Sequence, residues 1–344
     1  MKKSFLIVSF LVLFAAVTDA QLTFKERRQL ARSYNAGLEN IYNQNYTDAI
    51  TDFNNCIELD DAYAVAYMQR GRVKAELGQT EEALQDLDIA ISKDRSMGEA
   101  YFYKGYLMSA TDTTGISMEH LLVAIEKGFE NAEGDYQLGL LYLLKGNDDK
   151  ALIYFNKSID LNDEMPLAYH DRAGIKRRLG DYNGALYDYK TAINYLGEFP
   201  IAYNNMGSVK IILGDYEGAI EDFSTAIEQD PNLYLAYNNR GYANYQMGYL
   251  DTALVDFSRA IELENGFMEA KLNTASAKTK LMDYISAISI LDEAIAENPS
   301  VGILYLNRGL VRELQGNVVG ACEDWNAALN YGIEQATEYL KECK

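Results

Sequence analysis

Ala202-Tyr-Asn-Asn-Met-Gly207 recurs 34 residues on as Ala236-Tyr-Asn-Asn-Arg-Gly241, and Ala219-Ile-Glu-Asp-Phe223 recurs at the same offset as Ala253-Leu-Val-Asp-Phe257. A fixed internal period of this length marks a stacked-repeat architecture. Stepping outward by 34 finds a small residue at Gly37, Gly71, Gly105, Gly139, Ala173, Gly207, Gly241, Ala275 and Gly309. Twelve residues later the series reads Ala49, Ala83, Ser117, Ala151, Ala185, Ala219, Ala253, Ala287 and Ala321. Seven further on it reads Cys56, Ala90, Ala124, Ser158, Ala192, Ala226, Ala260, Ala294 and Ala328. Between these two series a large apolar residue falls every time: Phe53, Leu87, Leu121, Phe155, Tyr189, Phe223, Phe257, Leu291 and Trp325. Nine units thus run from residue 30 to residue 335 without an insertion.

The second small residue, the large one and the third small one are spaced i, i+4, i+7, which is one face of a helix. Ahead of them an earlier helix carries an aromatic four residues before the first small residue, as at Tyr67, Tyr101, Tyr169, Tyr203, Tyr237 and Tyr305. Turns at Gly146-Asn147, Gly180-Asp181, Gly214-Asp215 and Gly316-Asn317 separate the two helices. Glycine supplies the left-handed residue that ends the first helix, and Asp or Asn caps the second. Pro166, Pro200, Pro231 and Pro299 all fall at unit junctions, where no helical hydrogen bond is lost. Each unit is a helical hairpin that cannot bury its apolar face alone, so neighbours must stack.

The 344 residues hold 31 Lys+Arg against 51 Asp+Glu, a formal charge of −20, and 48% are hydrophobic. That balance excludes a disordered chain, and the acidity opposes binding to nucleic-acid backbones. Met1-Lys2-Lys3, the apolar run Phe5 to Val17 and the small residues around Ala20 have the layout of a secretory signal peptide over residues 1–20. The run is too short for an ordinary membrane span, although an uncleaved anchor is the competing reading. Cleavage would remove Lys2, Lys3 and Asp19 and leave a charge of −21, with residues 21–29 as a lead-in and no transmembrane anchor in the remainder. Export to a periplasm or to the outside is expected. The three cysteines are too few for a disulfide framework. Cys56 occupies a small core position, whereas Cys322 and Cys343 both lie in the last two expected helices and could meet as a disulfide in an oxidising compartment.

The 34-residue period, the Tyr-x-x-x-Gly of the first helix and the Ala-x-x-x-Phe-x-x-Ala of the second resemble tetratricopeptide repeats over about nine tenths of the chain. The resemblance implies an all-α, right-handed superhelical solenoid with units at 30–63, 64–97, 98–131, 132–165, 166–199, 200–233, 234–267, 268–301 and 302–335. A polar capping helix over 336–344 would close it. Unit 3 departs most, with Asp112-Thr-Thr-Gly115 in place of the usual turn, which marks a soft spot. The family further implies a concave groove lined by the first helices, with inward positions 2, 5, 6, 9, 12 and 13, and a peptide or protein as ligand.

Position 6 reads Asn35, Gln69, Tyr103, Gln137, Asp171, Asn205, Asn239, Asn273 and Asn307. The last four resemble the asparagine ladder in the repeat domain of O-GlcNAc transferase, where amides hold a polypeptide by its backbone; an amide both donates and accepts. Asparagine is also simply common at this family position. Other inward positions place Tyr34, Leu38, Phe102, Tyr106, Tyr136, Tyr242 and Tyr245 on the wall, an apolar and aromatic surface suited to a partner. Unit 5 turns His170, Arg177 and Arg178 the same way, a basic spot suited to an acidic side chain or a terminal carboxylate. No unit has the lysine and asparagine pattern of the family's carboxylate clamp, which disfavours a chaperone-tail receptor.

Arg70, Arg172, Arg240 and Arg308 share their units with Asp86, Asp188, Asp256 and Asp324. Antiparallel helices would bring each pair together, contributing ~0–1 kcal/mol if solvent-exposed. His120 and His170 form no metal-ligating pair, and no phosphate loop, nucleophile elbow or Cys-x-x-Cys is present. The sequence therefore points to a non-catalytic scaffold without cofactor or metal. It would hold an extended polypeptide or partner segment; a glycan- or small-ligand-binding protein using aromatic platforms is the alternative.

Overall fold

A computed structural model describes residues 22–111 and 115–343; the leader read over residues 1–20, most of the unit 3 turn and Lys344 lie outside them. Every regular element among the described residues is a helix. The chain divides into two compact units, Met1–Asn147 and Asp148–Lys344, so the division falls inside the fourth repeat.

The first unit contains α1 (Phe24–Tyr42), α2 (Tyr46–Leu59), α3 (Ala64–Glu76), α4 (Thr80–Lys93), α5 (Gly98–Ser109), α6 (Ile116–Glu126) and α7 (Ala132–Leu144). Helix α1 begins within the segment read as a lead-in, and Thr23 and Glu26 close it with a reciprocal capping box. The second unit contains α8 (Asp148–Leu161), α9 (Pro166–Arg178), α10 (Tyr182–Leu196), α11 (Pro200–Ile212), α12 (Tyr216–Gln229) and α13 (Tyr234–Gln246). It continues with α14 (Leu250–Leu263), α15 (Met268–Lys280), α16 (Tyr284–Glu297), α17 (Gly302–Leu314), α18 (Val318–Asn330) and α19 (Ala336–Leu340).

Within each unit the helices pack as antiparallel pairs whose interiors are the periodic residues. Phe53, Phe155, Phe223, Phe257 and Leu291 are wholly buried between small neighbours. The first-helix glycine exists because of the aromatic facing it. A Cβ on Gly207 would lie 2.8 Å from Phe223 Cε1, and one on Gly309 would lie 2.5 Å from Trp325 Nε1. Substitution there forces the helices apart. The turns follow the same economy: Gly180, Gly214 and Gly316 have positive φ, and Asp181, Asp215 and Asn317 each accept from a backbone N–H three residues on.

The Arg–Asp pairs are more than surface contacts. Arg70, Arg172, Arg240 and Arg308 each donate from Nε and Nη2 to the carboxylate sixteen residues on, at distances of 2.5–3.2 Å. Each also stacks on the tyrosine three residues before it. The third nitrogen reaches back to the preceding hairpin, at Asn54, Asn156, Ser224 and Asp292. The acceptors Asp86, Asp188, Asp256 and Asp324 are buried, unlike the exposed pairs expected from sequence. Three of the four gain a second cation at Lys74, Lys176 or Arg312. The arginine thus joins consecutive hairpins. Unit 6 carries Met206 instead, leaving Asp222 buried with Lys210 at 2.7 Å; burial pushes its carboxyl up despite that lysine.

At the C-terminal end α19 spans five residues, shorter than the cap expected over 336–344. Tyr339 stacks on Trp325 with ring centroids 5.3 Å apart. Cys322 and Cys343 form a disulfide with Cα atoms 5.7 Å apart. Cys56 is a buried thiol, pushed up to about 12 by burial and the nearby Asp52 carboxylate, and Sγ donates to the Leu30 carbonyl.

Candidate functional site

The position 6 asparagines of α11, α13 and α15 do not stand as isolated rungs. Asn273 Nδ2 donates to Asn238 Oδ1 at 2.9 Å, and Asn239 Nδ2 donates to Asn204 Oδ1 at 2.9 Å. Within each helix the adjacent amides complete the link, Asn238 to Asn239 at 3.5 Å and Asn204 to Asn205 at 3.4 Å. Asn205 Nδ2 then meets His170 Nε2 at 3.1 Å, and His170 Nδ1 meets Asp171 Oδ1 at 3.0 Å. An amide N–H donating to Nε2 leaves the ring proton on Nδ1, facing the carboxylate. One polar chain therefore crosses α9, α11, α13 and α15.

Sequence reasoning picked the half-buried members of this chain and missed Asn204 and Asn238, the buried position 5 residues that join the repeats. The Asn-Asn pairs were visible in both quoted segments; their role was not, because it depends on the distance between hairpins. Asn307 stands apart and donates to its own helix at Ile303 O. In the first unit Gln137 bonds Glu133 within α7, Asn35 is exposed, and Gln69 is buried beside Tyr34. The structure therefore joins Asn205, Asn239 and Asn273, and does not extend the chain to Asn307, Asn35, Gln69 or Gln137.

The aromatic candidates divide in the same way. Phe102 is 6% exposed and packs on Phe129, and Tyr136 is also buried. Tyr34 rests between Phe53 and Tyr63, and burial pushes its phenol well above the usual range. Tyr106 remains exposed. Tyr242 and Tyr245 pack against the α14 core, and Lys280 Nζ lies 4.6 Å over the Tyr245 ring. Beside the asparagine chain, position 2 presents exposed apolar side chains on three successive first helices: Leu167, Ile201 and Leu235.

In unit 5 the His170 ring packs against Tyr189 and Phe199, with centroids 5.5 and 4.9 Å away. Arg178 is neutralised by Asp148 at 2.7 Å. Arg177 is not, and its buried Nε has no hydrogen-bond partner. A separate feature follows from the broken Arg–Asp series. Unit 8 carries Thr274 and Ile290 in those places, and an open cavity of about 650 Å³ lies there between Tyr237, Arg240, Ser258, Arg259, Thr274 and Lys278. Among the described residues no group of His, Cys, Asp or Glu is arranged to hold a metal, and no helix is long and apolar enough to cross a membrane.

Residues 207–248 match the family described as TPR repeat, and residues 136–164 and 234–267 match the tetratricopeptide repeat. A tetratricopeptide repeat protein from Parabacteroides merdae aligns with 72% of this chain and 98% of its own, at 22% identity and a TM-score of 0.57. A chain of the APC/C hetero-tetramer Cut9–Hcn1 aligns with 92% of this chain and 84% of its own, at 15% identity and a TM-score of 0.55. At such identities the likeness speaks for the fold. The photosystem I assembly protein Ycf3 of Rippkaea orientalis is 39% identical over 46 residues, which cover 13% of this chain and 27% of that protein. Periodicity, hairpin packing and these matches define a repeat scaffold of stacked helical pairs. Residues 136–164 and 207–267 are tetratricopeptide repeats, and the stacked helical pairs of the described residues are the fold such repeats build, a fold that implies protein partners.

Proposed function

We propose that the chain is an exported, non-catalytic scaffold that holds an extended segment of a partner protein against the inward face of its first helices. The observation that carries this reading is the row Leu167, Ile201 and Leu235, exposed at one position of consecutive repeats and flanked by the asparagine chain. Exposed apolar side chains in register offer side-chain contacts to a guest. Amides with a second N–H and a second lone pair offer contacts to its backbone. The Cys322–Cys343 bond supports an oxidising destination, and the basic, then apolar, start of the chain supports export. A glycan reading draws less support, since Phe102 and Tyr136 are buried in packing.

The test is an array of overlapping 15-residue peptides drawn from envelope proteins, probed with the full chain and with the triple variant Leu167→Asp, Ile201→Asp, Leu235→Asp. A set of bound peptides that the variant loses is expected; identical patterns would remove the inward face as the site. Alkaline phosphatase fused after residue 29 tests export: activity in a bacterial periplasm is expected, and none is expected without residues 1–20.

A further inference from the structure

Two exceptions in the repeat pattern meet at one place. Position 9 carries a side chain in eight units and glycine in one, Gly174. The large apolar position between the two small series is Phe, Leu or Trp in eight units and tyrosine in one, Tyr189. A Cβ built on Gly174 meets only the Tyr189 hydroxyl, at 3.8 Å. The missing side chain therefore leaves a notch in α9 whose floor is that hydroxyl. Tyr189 is 1% exposed, and its O–H has no hydrogen-bond partner among the described residues.

Arg177 stands three residues beyond Gly174, on the same face of α9. It forms no hydrogen bond or ion pair among the described residues, and its Nε is buried. Its neighbours on the helix behave otherwise: Arg172 holds Asp188, and Arg178 holds Asp148. Among the described arginines of the second compact unit, Arg177 is the one that holds no carboxylate. A buried donor without an acceptor carries a desolvation cost that an incoming acceptor removes. Burial raises the Tyr189 phenol, Arg177 and Arg178 draw it back and the Asp171 carboxylate adds to the rise, so the hydroxyl keeps its proton at neutral pH and acts as a donor.

We propose that the notch over Gly174 binds a carboxylate of the partner polypeptide, with the Tyr189 hydroxyl and the Arg177 guanidinium donating to its oxygens. The proposal rests on the inward face being the binding surface. An aspartate or glutamate side chain and a chain terminus offer the same group, and the experiment separates them. The full chain, with ring-labelled tyrosine, is titrated at fixed ionic strength with N-acetylalanine, N-acetylglutamate α-amide and uncharged N-acetylalaninamide. Tyr189→Phe identifies the Tyr189 signal.

A saturable shift with a carboxylate and none with the uncharged probe is expected, and the stronger of the two carboxylates names the source. Arg177→Gln should weaken half-saturation about tenfold, and Arg178→Gln less than twofold. Gly174→Leu fills the notch with a better helix former and should abolish the shift while circular dichroism stays unchanged. Equal shifts with all three probes, no saturable shift, or a shift that survives Gly174→Leu would overturn the proposal. Peptide capture lost in the Leu167, Ile201, Leu235 variant but kept in Arg177→Gln would sink this subsite alone. A carboxylate shift beside an empty peptide array would sink the wider reading instead.

Discussion

The two units use one repeat for opposite ends. In the first, aromatics occupy part of the inward side of α1, α3 and α5: Tyr34, Phe102 and Tyr103 pack there while Tyr106 stays exposed, and the Glu99 carboxyl among them is pushed up by burial although Arg72 stands near. In the second, the inward side of α9, α11, α13 and α15 carries a bonded amide chain beside exposed apolar residues and one unpaired arginine. Three of the four Arg–Asp staples also fall in the second unit. Identical small-residue spacing therefore fixes the hairpin and leaves the inner surface free to diverge.

The largest expected effect tests the staples. Arg172→Met would leave the buried Asp188 to Lys176 alone, the arrangement that Met206 gives Asp222 one repeat later. Removing one partner of a buried pair costs ~3 kcal/mol or more. In the first unit Asp52, which accepts from Asn40 at 2.8 Å in a unit carrying Ala36, is the contrast, and Asp52→Ala should cost ~1 kcal/mol. Denaturant melts of both variants measure the gap; equal losses would break the comparison.

Next comes the closing end of the second unit. Reduction, or Cys322→Ser with Cys343→Ser, releases a loop closed by a 21-residue separation, worth roughly 3 kcal/mol in the chain-entropy account. The loss should be local, because α19 packs on the last hairpin: Tyr339 stacks on Trp325, and Ala336 is buried in a cluster with Leu306 and Ala328. Hydrogen exchange over 336–343 should quicken under reductant while α9 to α13 stay protected. Uniform loss of protection would show the end cap to be coupled to the whole unit.

Much of this was legible beforehand because a 34-residue period repeats its constraints nine times. The small residues, turn glycines and Arg–Asp partners follow from helix geometry within one hairpin. What was not legible depends on distances between hairpins. Asn204 joins Asn239 only because α11 and α13 lie a side chain apart, and Arg172 reaches Asn156 only because the preceding repeat stacks beside its own. The notch over Gly174 needs both an absent side chain and a tyrosine fifteen residues on, each unremarkable alone.

A smaller effect separates the units by pH. Burial raises Glu99 above its ordinary 4.5, with Arg72 opposing. A carboxyl raised in the folded state favours the fold when protonated, so its contribution is complete below the unfolded value and is lost as pH rises through the folded one. Glu99→Gln should therefore stabilise the first unit at neutral pH and flatten its melting profile on the alkaline side of pH 4.5. An unchanged slope would mean that Glu99 is not buried in solution.

The smallest effect lies in the turns. Gly180, Gly214 and Gly316 take positive φ without strain, whereas Gln44 and Met282 hold φ of 61° in the equivalent turns of units 1 and 8. A residue with a Cβ is disfavoured there by roughly 1–2 kcal/mol, and part of that returns as the greater entropy of unfolded glycine. Met282→Gly and Gln44→Gly should each gain ~0.5–1 kcal/mol, with the peptide-binding pattern untouched. Because Met282 is exposed, no lost packing offsets the gain in the second unit. A destabilised Met282→Gly would show that the methionine holds the turn through contacts formed only in solution. A gain in Met282→Gly matched by Gln44→Gly would show that the two units, so different on their inner faces, close their hairpins under the same backbone rule.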